Sequence, residues 1–341
     1  MKLLVYSPAF LPQVGGLEIA VATLCDQLAH AGHEVVVATR TAGATDTAAA
    51  YRVVRRPAAP ELLRWVRWCD IFFQANVSLR GLWPLLLTRR PWVVSHHSWY
   101  CRTDGRIAWP DRLKRWLLRF AAASIPVSPA LAADLPTPST VIPNSYREEL
   151  FRVLPGIERS NDLVFVGRLV SDKGVDILLE ALALLAKGGF EPQLTIVGDG
   201  PEAPRLKEQA ARLGIAGRVD FLGLRKDCEL VEVLNRHRVL VVPSRYREPF
   251  GIVALEGIAC GCLVVGSEGG GLKGAIGPCG WTFRNGDAGD LARVLGGVLR
   301  HPERDAEILR HAGEHLARHS LEVTTRAYLR VLETALAGGA P

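Results

Sequence analysis

Short apolar runs alternate with amphipathic stretches along the whole chain. Leu3-Leu4-Val5-Tyr6 is a run closed by Ser7-Pro8, and a Pro/Gly-rich loop leads from there to Gly16. Between Leu17 and Ala31 the apolar residues Ile19, Leu24 and Leu28 recur at helical spacing, and Gly32 is a natural stop. Glu34-Val35-Val36-Val37-Ala38 reads as the next buried strand. Further strands are expected at 51–54, 70–74, 92–95, 124–127 and 140–142, with helices between them. Residues 153–161 have a linker's composition. A second alternation follows, with strands at 163–166, 193–197, 219–222, 239–242 and 263–266. The helices of this half are expected at 176–187, 202–213, 227–236 and 251–260, with a helical tail over 287–300 and 303–337. Strands that alternate with helices predict parallel sheets covered on both faces, with ligands at the strands' C-terminal ends.

Composition narrows the class. A chain of 341 residues that is 48% hydrophobic and 22% charged is globular and long enough for two domains. No apolar run reaches membrane-spanning length, and the opening strand is too short for a signal peptide. The seven cysteines are odd in number and scattered, which argues against a disulfide framework and for a reducing cytoplasm. Cys260-Gly261-Cys262 lacks zinc-knuckle spacing and a second ligand pair. The net charge of +6 is uneven: residues 1–155 carry 18 Lys and Arg against 11 Asp and Glu, a net of +7, and the rest carries 23 against 24, a net of −1. The bland meaning is solubility. The sharper one is an anionic partner on the first half: lipid head groups, nucleic acid or a phosphorylated acceptor.

Three constellations carry candidate chemistry. In Glu248-Pro249-Phe250-Gly251-Ile252-Val253-Ala254-Leu255-Glu256, a helix start offers free N–H groups and a positive dipole end. Glu248 precedes that helix and Glu256 lies inside it. Two carboxylates at different depths suit a molecule with hydroxyls at both ends and phosphates between, the form of a nucleotide sugar. Gly167-Arg168, followed by Ser171-Asp172-Lys173-Gly174, puts two cations across a turn at a strand end, within reach of a diphosphate. Gln13-Val14-Gly15-Gly16 is a Gly-rich loop feeding a helix, able to bring backbone N–H groups to a phosphate. Each has an ordinary alternative: solvated glutamates, a loop-capping lysine, glycines that serve only a turn.

Together these residues resemble the family 4 glycosyltransferases of GT-B fold, over nearly the whole chain. The Glu-x7-Glu element behind Val242-Pro243-Ser244 is the most specific piece. Phe165-Val166-Gly167-Arg168 with Lys173-Gly174 is similar to the family's diphosphate clamp, and Ile142-Pro143-Asn144 to its interdomain turn, with Ser145 at the usual glycine. The resemblance implies an α/β fold of two Rossmann-like doubly wound domains facing across a cleft. The domains are 1–152, joined by a crossover helix at about 320–337, and 160–318. It further implies that Glu256 holds the ribose, that Glu248 with N–H groups near Phe250 and Gly251 holds the transferred sugar, and that Gly16, beside Gly15, approaches the diphosphate. Catalysis would rest on Arg168, Lys173 and the helix N-terminus, without a metal or other cofactor, and with retention at the anomeric carbon. His96-His97 follow the strand 92–95, where the family carries a histidine near the sugar. Alternation turns one of the pair inward, and His97 has the matching register; a hydrogen-bonded sheet-end role is the alternative. Departures fall in a supporting loop: Lys273-Gly274 where the family shows Pro-Glu, and Leu263 at a usual proline.

The expected partners are a nucleotide sugar and a hydroxyl acceptor, lipid-linked acceptors included, with nucleic acid not expected. Two further patterns compete for attention. Gly198-Asp199-Gly200-Pro201-Glu202-Ala203 fits the dinucleotide fingerprint G-x-G-x-x-A with Asp220 downstream, but it follows the second strand of its domain and carries Pro201 in the turn. In residues 110–123, Leu113, Trp116, Leu117 and Phe120 form one stripe, with Arg112, Lys114, Arg115 and Arg119 largely off it. Such a helix can rest on an anionic membrane surface, which would put a cytoplasmic enzyme on the inner face of the cytoplasmic membrane; the alternative is a stripe packed into the core.

Overall fold

The computed structural model describes residues 1–13, 15–43, 49–101 and 105–338. The chain divides into two compact units, 1–145 with 321–341, and 146–320. The first unit holds a six-stranded sheet: β1 (Lys2–Ser7), β2 (Glu34–Thr39), β3 (Arg52–Arg55), β4 (Ile71–Ala75), β5 (Trp92–His96) and β6 (Ala123–Pro126), in the order β3-β2-β1-β4-β5-β6. Every pairing is parallel. Alternate residues of each strand feed opposite faces. Leu3, Val5, Val35, Val37, Ile71 and Phe73 meet Val21, Cys25 and Leu28 of the Gly16–His30 helix and Tyr328, Val331 and Leu332 of the Leu321–Leu336 helix. Leu4, Tyr6, Val36, Phe72 and Val94 meet Leu62, Val66 and Leu118 on the other face. The last helix thus completes the core of the first unit.

The second unit repeats the plan with β7 (Asn161–Val166), β8 (Leu194–Val197), β9 (Val219–Gly223), β10 (His237–Val242), β11 (Leu263–Ser267) and β12 (Gly280–Phe283), in the order β12-β11-β10-β7-β8-β9 and parallel throughout. Read from β9, this is the same order as in the first sheet. In both sheets the strand order reverses beside the unit's first strand, between β1 and β4 and between β7 and β10. Open α/β sheets hold ligands at such switch points, outside the C-terminal ends of the strands.

Several expectations need correction. No strand forms at 140–142. Thr140 and Ile142 each donate one backbone bond to β6, to Ser124 and Pro126 oxygens, but Pro138 and Pro143 bracket the segment and remove ladder donors. β12 is an addition to the expected strands; opened by Gly280 and crossed by Thr282, it has no continuous apolar run. The tail over 303–337 is broken into Asp305–Leu309, Ala312–Ala317 and Leu321–Leu336. Residues 146–152 belong to the second unit, not the first, and 153–160 are docked on it. Phe151 is buried there. The Asn235 side chain binds the backbone of Arg152 and Leu154 at 3.0 and 2.8 Å. Arg159 donates to the carbonyls of His237 and Cys260 at 2.6 and 2.8 Å.

Candidate functional site

In the second unit, the loops after β7 and β10 lie side by side at the switch point. They are held by main-chain contacts. Arg245 and Tyr246 N–H both donate to the Asp172 carbonyl, at 2.9 and 3.2 Å. Gly174 has φ of 67°, and a Cβ there would fall 2.0 Å from the Pro243 oxygen, so only glycine permits this approach. On the other side, Gly198 has φ of 140° and a Cβ would fall 1.9 Å from the Gly167 oxygen. Leu169 N–H donates to the Asp199 carbonyl at 2.9 Å, and Glu202 N–H to the Leu169 carbonyl at 3.1 Å. The fingerprint-like glycine run therefore has a local job: it lets the loop after β8 brace the loop after β7.

These braces bring the candidate side chains together. Lys173 Nζ lies 2.6 Å from Glu248 Oε1, and Ser244 Oγ donates to the same oxygen at 2.6 Å. Glu248 is 8% exposed and Ser244 1%. The Glu248 carbonyl in turn accepts from Gly271 N–H at 2.7 Å, which ties the supporting glycine loop to the site. Asn285 closes the frame: its Oδ1 accepts from Gly269 N–H at 2.8 Å, and its Nδ2 reaches the Ser244 and Arg245 oxygens at 3.4 Å. Arg168 sits on the adjoining loop with its guanidinium exposed and no ion pair among the described residues.

The Ile252–Ala259 helix starts at Gly251, a left-handed cap, so that residue bounds the helix and is not its first turn. The Phe250 side chain is buried, its ring 5.5 Å from that of His319; what it offers the site is its backbone. Glu256 lies within the helix, partly buried. Burial pushes its carboxyl up to about 7, against the pull of the Arg147 guanidinium. Arg147 itself pairs with Asp227 at 2.8 Å. Sequence reasoning placed Ser244 in the lead-in to the motif without a role, and missed Asn285 and Arg147 as parts of this site. Ser244 stands four residues before Glu248, a spacing that signals nothing until the loop is closed. Asn285 arrives from a turn forty residues further on.

In the first unit, Gly15 caps and Gly16 opens the Gly16–His30 helix at the C-terminal side of β1, while Val14 lies outside the described residues. His96 is fully buried and its Nδ1 meets Tyr100 Oη at 2.7 Å. Burial, with a smaller contribution from His97, lowers its pKa to about 3. His97 is less enclosed. Its N–H donates to Asn76 Oδ1 at 2.7 Å and its Nε2 meets Ser95 Oγ at 3.0 Å; burial lowers its pKa to about 4, so both rings are neutral near pH 7. His97, Asn144, Ser145 and Thr324 line a cavity of about 20 Å³, room for a single water. A larger cavity of about 510 Å³ in the second unit lies between Asn161, Thr195, Asp220 and Arg236. It is at the N-terminal end of β7 and touches none of the candidate residues.

The Trp109–Leu117 helix has no buried residue. Trp109 is 74% exposed, Trp116 47% and Phe120 62%, while Leu117 packs against the core. The stripe is thus mostly an outward face. No described helix is long and apolar enough to cross a membrane.

Comparison with known proteins agrees with this architecture. Residues 14–149 match the profile of Glycosyltransferase Family 4, and residues 146–315 that of Glycosyl transferases group 1. A D-inositol 3-phosphate glycosyltransferase of Stackebrandtia nassauensis is 40% identical over 167 residues, covering 46% of this chain and 38% of that protein; the match spans well under half of that relative's length. Glycogen synthase of Mycobacterium tuberculosis is 27% identical, with 93% and 90% of the two chains covered. The Anabaena protein HepE, solved with UDP, superposes with a TM-score of 0.81 at 21% identity over 98% of this chain and all of that one, a likeness of fold. Two profiles that together run from residue 14 to 315, on two parallel sheets of identical strand order, make this chain a member of the family 4 glycosyltransferases of GT-B fold.

Proposed function

We propose that the protein moves a sugar from a nucleoside-diphosphate sugar to a hydroxyl acceptor with retention of anomeric configuration, in glycolipid, polysaccharide or glycoconjugate synthesis. The carrying observation is the Lys173–Glu248–Ser244 cluster beside the N-terminus of the helix that holds Glu256. Glu256 takes the ribose. Glu248, with the backbone N–H groups at Phe250 and Gly251, takes the sugar. Arg168 and Lys173 take the diphosphate. As the sugar–phosphate bond breaks, negative charge grows on the leaving diphosphate, and the two cations and the helix dipole stabilise it. They stand where other enzymes use a metal. The leaving phosphate accepts the acceptor's proton. The relatives named above include a D-inositol 3-phosphate glycosyltransferase and a glycogen synthase, and HepE was solved with UDP, which favours a nucleotide donor.

The test incubates the protein with UDP-, GDP- and ADP-sugars, with and without lipid extract, and follows free nucleoside diphosphate and new glycoside. Product NMR reads the anomeric configuration. An epimerase would change the donor without acceptor, a phosphorylase would need inorganic phosphate, and a binding subunit would hold donor and release nothing. Any of these outcomes replaces the proposal.

The acceptor side carries a second part of the reading: reversible attachment to an anionic membrane from the cytoplasmic side. The observation is the exposed Trp109, Trp116 and Phe120 with Arg112 and Arg119 around them. Each basic residue near such a surface contributes about 1 kcal/mol, screened within a Debye length. Co-sedimentation with anionic vesicles at low salt and release at high salt is expected; binding to neutral and anionic vesicles alike, or to neither, removes this part.

A further inference from the structure

We infer that Ser244 is a positioning residue that aims the Glu248 carboxylate at the sugar end of the donor; the inference rests on the assignment of Glu248 to the sugar. Both hydrogen bonds to this carboxylate land on Oε1, from Lys173 Nζ and from Ser244 Oγ, each at 2.6 Å. Oε2 receives none among the described residues, so it is the acceptor left for a ligand hydroxyl. The two donors differ in how long they can stay. Lys173 is a flexible ammonium that a diphosphate competes for. Ser244 is fixed: its side chain is enclosed, and its carbonyl is held by Asn285, which is itself bonded to Gly269. When Lys173 turns toward phosphate, Ser244 remains the one partner of Oε1 among the described residues. It keeps a nearly buried charge from losing all its hydrogen bonds, and it fixes the plane of the carboxylate. The lysine then couples the two ends of the donor, because phosphate binding draws it from Glu248, and the serine holds the aim through that exchange.

The experiment compares a nucleoside diphosphate with its glucose conjugate, the pair chosen as the first of UDP, ADP or GDP that raises the melting temperature of the full chain. Calorimetry gives the affinity ratio of conjugate to free diphosphate. Ser244→Ala is expected to lower that ratio about tenfold, the size of one hydrogen bond to a charged group, while affinity for the free diphosphate holds. Ser244→Thr, which keeps the hydroxyl, is expected to restore it. If Ser244→Ala melts early, Ser244→Cys keeps the volume with a weaker donor and should show a smaller drop. An unchanged ratio, or equal losses for both ligands, overturns the inference. Glu248→Gln is measured in parallel. If it too leaves the ratio unchanged, the assignment of Glu248 fails; if it lowers the ratio and Ser244→Ala does not, only the role of Ser244 falls. If no pair binds, both fall.

Discussion

The two units share a strand order but treat polar groups at their functional edges differently. In the second unit the carboxylate, ammonium and hydroxyl at the switch point are mutually paired, and the loops that carry them are braced main chain to main chain. In the first, His96 Nε2, His97 Nδ1 and Thr324 Oγ1 are buried without protein partners, as Arg147 Nε and Ser267 Oγ are outside the paired cluster of the second, and large apolar side chains of the first unit stand outward at Trp109, Trp116 and Phe120. A site that recognises one repeated chemical handle benefits from preorganisation, since fixed dipoles need no rearrangement as charge develops. A region that leaves groups unpaired and apolar surface exposed has work left for water, an acceptor or a surface. The lesson is that one fold can carry a finished site and an open one.

Mutations that remove charge from the paired site should break this contrast most severely. Lys173→Ala and Arg168→Ala are each expected to lower turnover about 100- to 1000-fold, the usual loss when one transition-state donor is removed. Steady-state kinetics with melting curves checks this; near-normal turnover in both folded variants would dissolve the clamp. Next in size is the division of labour along the helix. Glu256→Gln is expected to weaken free nucleotide binding about 10-fold or more, the scale of a charged hydrogen bond. Glu248→Gln should spare the nucleotide and weaken only the sugar conjugate. Equal calorimetric losses on nucleotide alone would contradict the assignment.

A smaller effect follows pH. Burial raises the Glu256 carboxyl to about 7, so its ionised form is the minority below that pH and predominates only above it. A raised carboxyl contributes stability that is present below its ordinary range and lost as pH rises through 7. Ribose hydroxyls need the carboxylate as acceptor, so donor affinity should move the other way and increase from pH 6 to pH 8. A nucleotide sugar is the right probe, because its diphosphate lacks the terminal phosphate proton that titrates near ~6. Glu256→Gln should flatten the profile. Arg147→Ala should carry the inflection upward, since the guanidinium favours the charged form. The smallest expected change sharpens the open side: Trp116→Ala should leave stability within about 0.5 kcal/mol, as for other surface sites, yet reduce anionic-vesicle binding. A large drop in melting temperature would mean the stripe is structural.

Much of the architecture was legible because buried parallel strands are written as continuous apolar runs. Leu163 to Val166 and Val239 to Val242 need no partner to be recognised. Thr140-Val141-Ile142 has the same look, but the flanking prolines decide against it. β12, Gly280-Trp281-Thr282-Phe283, has no continuous apolar run by which to be recognised. At the site, glycines and charges at strand ends pointed to the loops after β7 and β10. The frame that orients them did not show, because the contact of Asn285 with Ser244 joins positions 41 residues apart. Long-range closure of this kind leaves no local period to read.

The bracing of the loop after β7 by backbone atoms has an evolutionary consequence. Carbonyls and N–H groups are common to nearly every residue, so substitution at Val170 or Ser171 changes what the loop presents without removing what supports it, whereas Arg168 is constrained by its proposed contact with the diphosphate. Gly174, Gly198 and Gly200 are the exceptions, since a Cβ there meets a carbonyl oxygen at 2.0, 1.9 and 2.4 Å. The donor loop therefore separates into a few immovable positions and several interchangeable ones. Libraries built to alter donor preference can vary the second set freely while holding the first, and drift within the family has the same freedom.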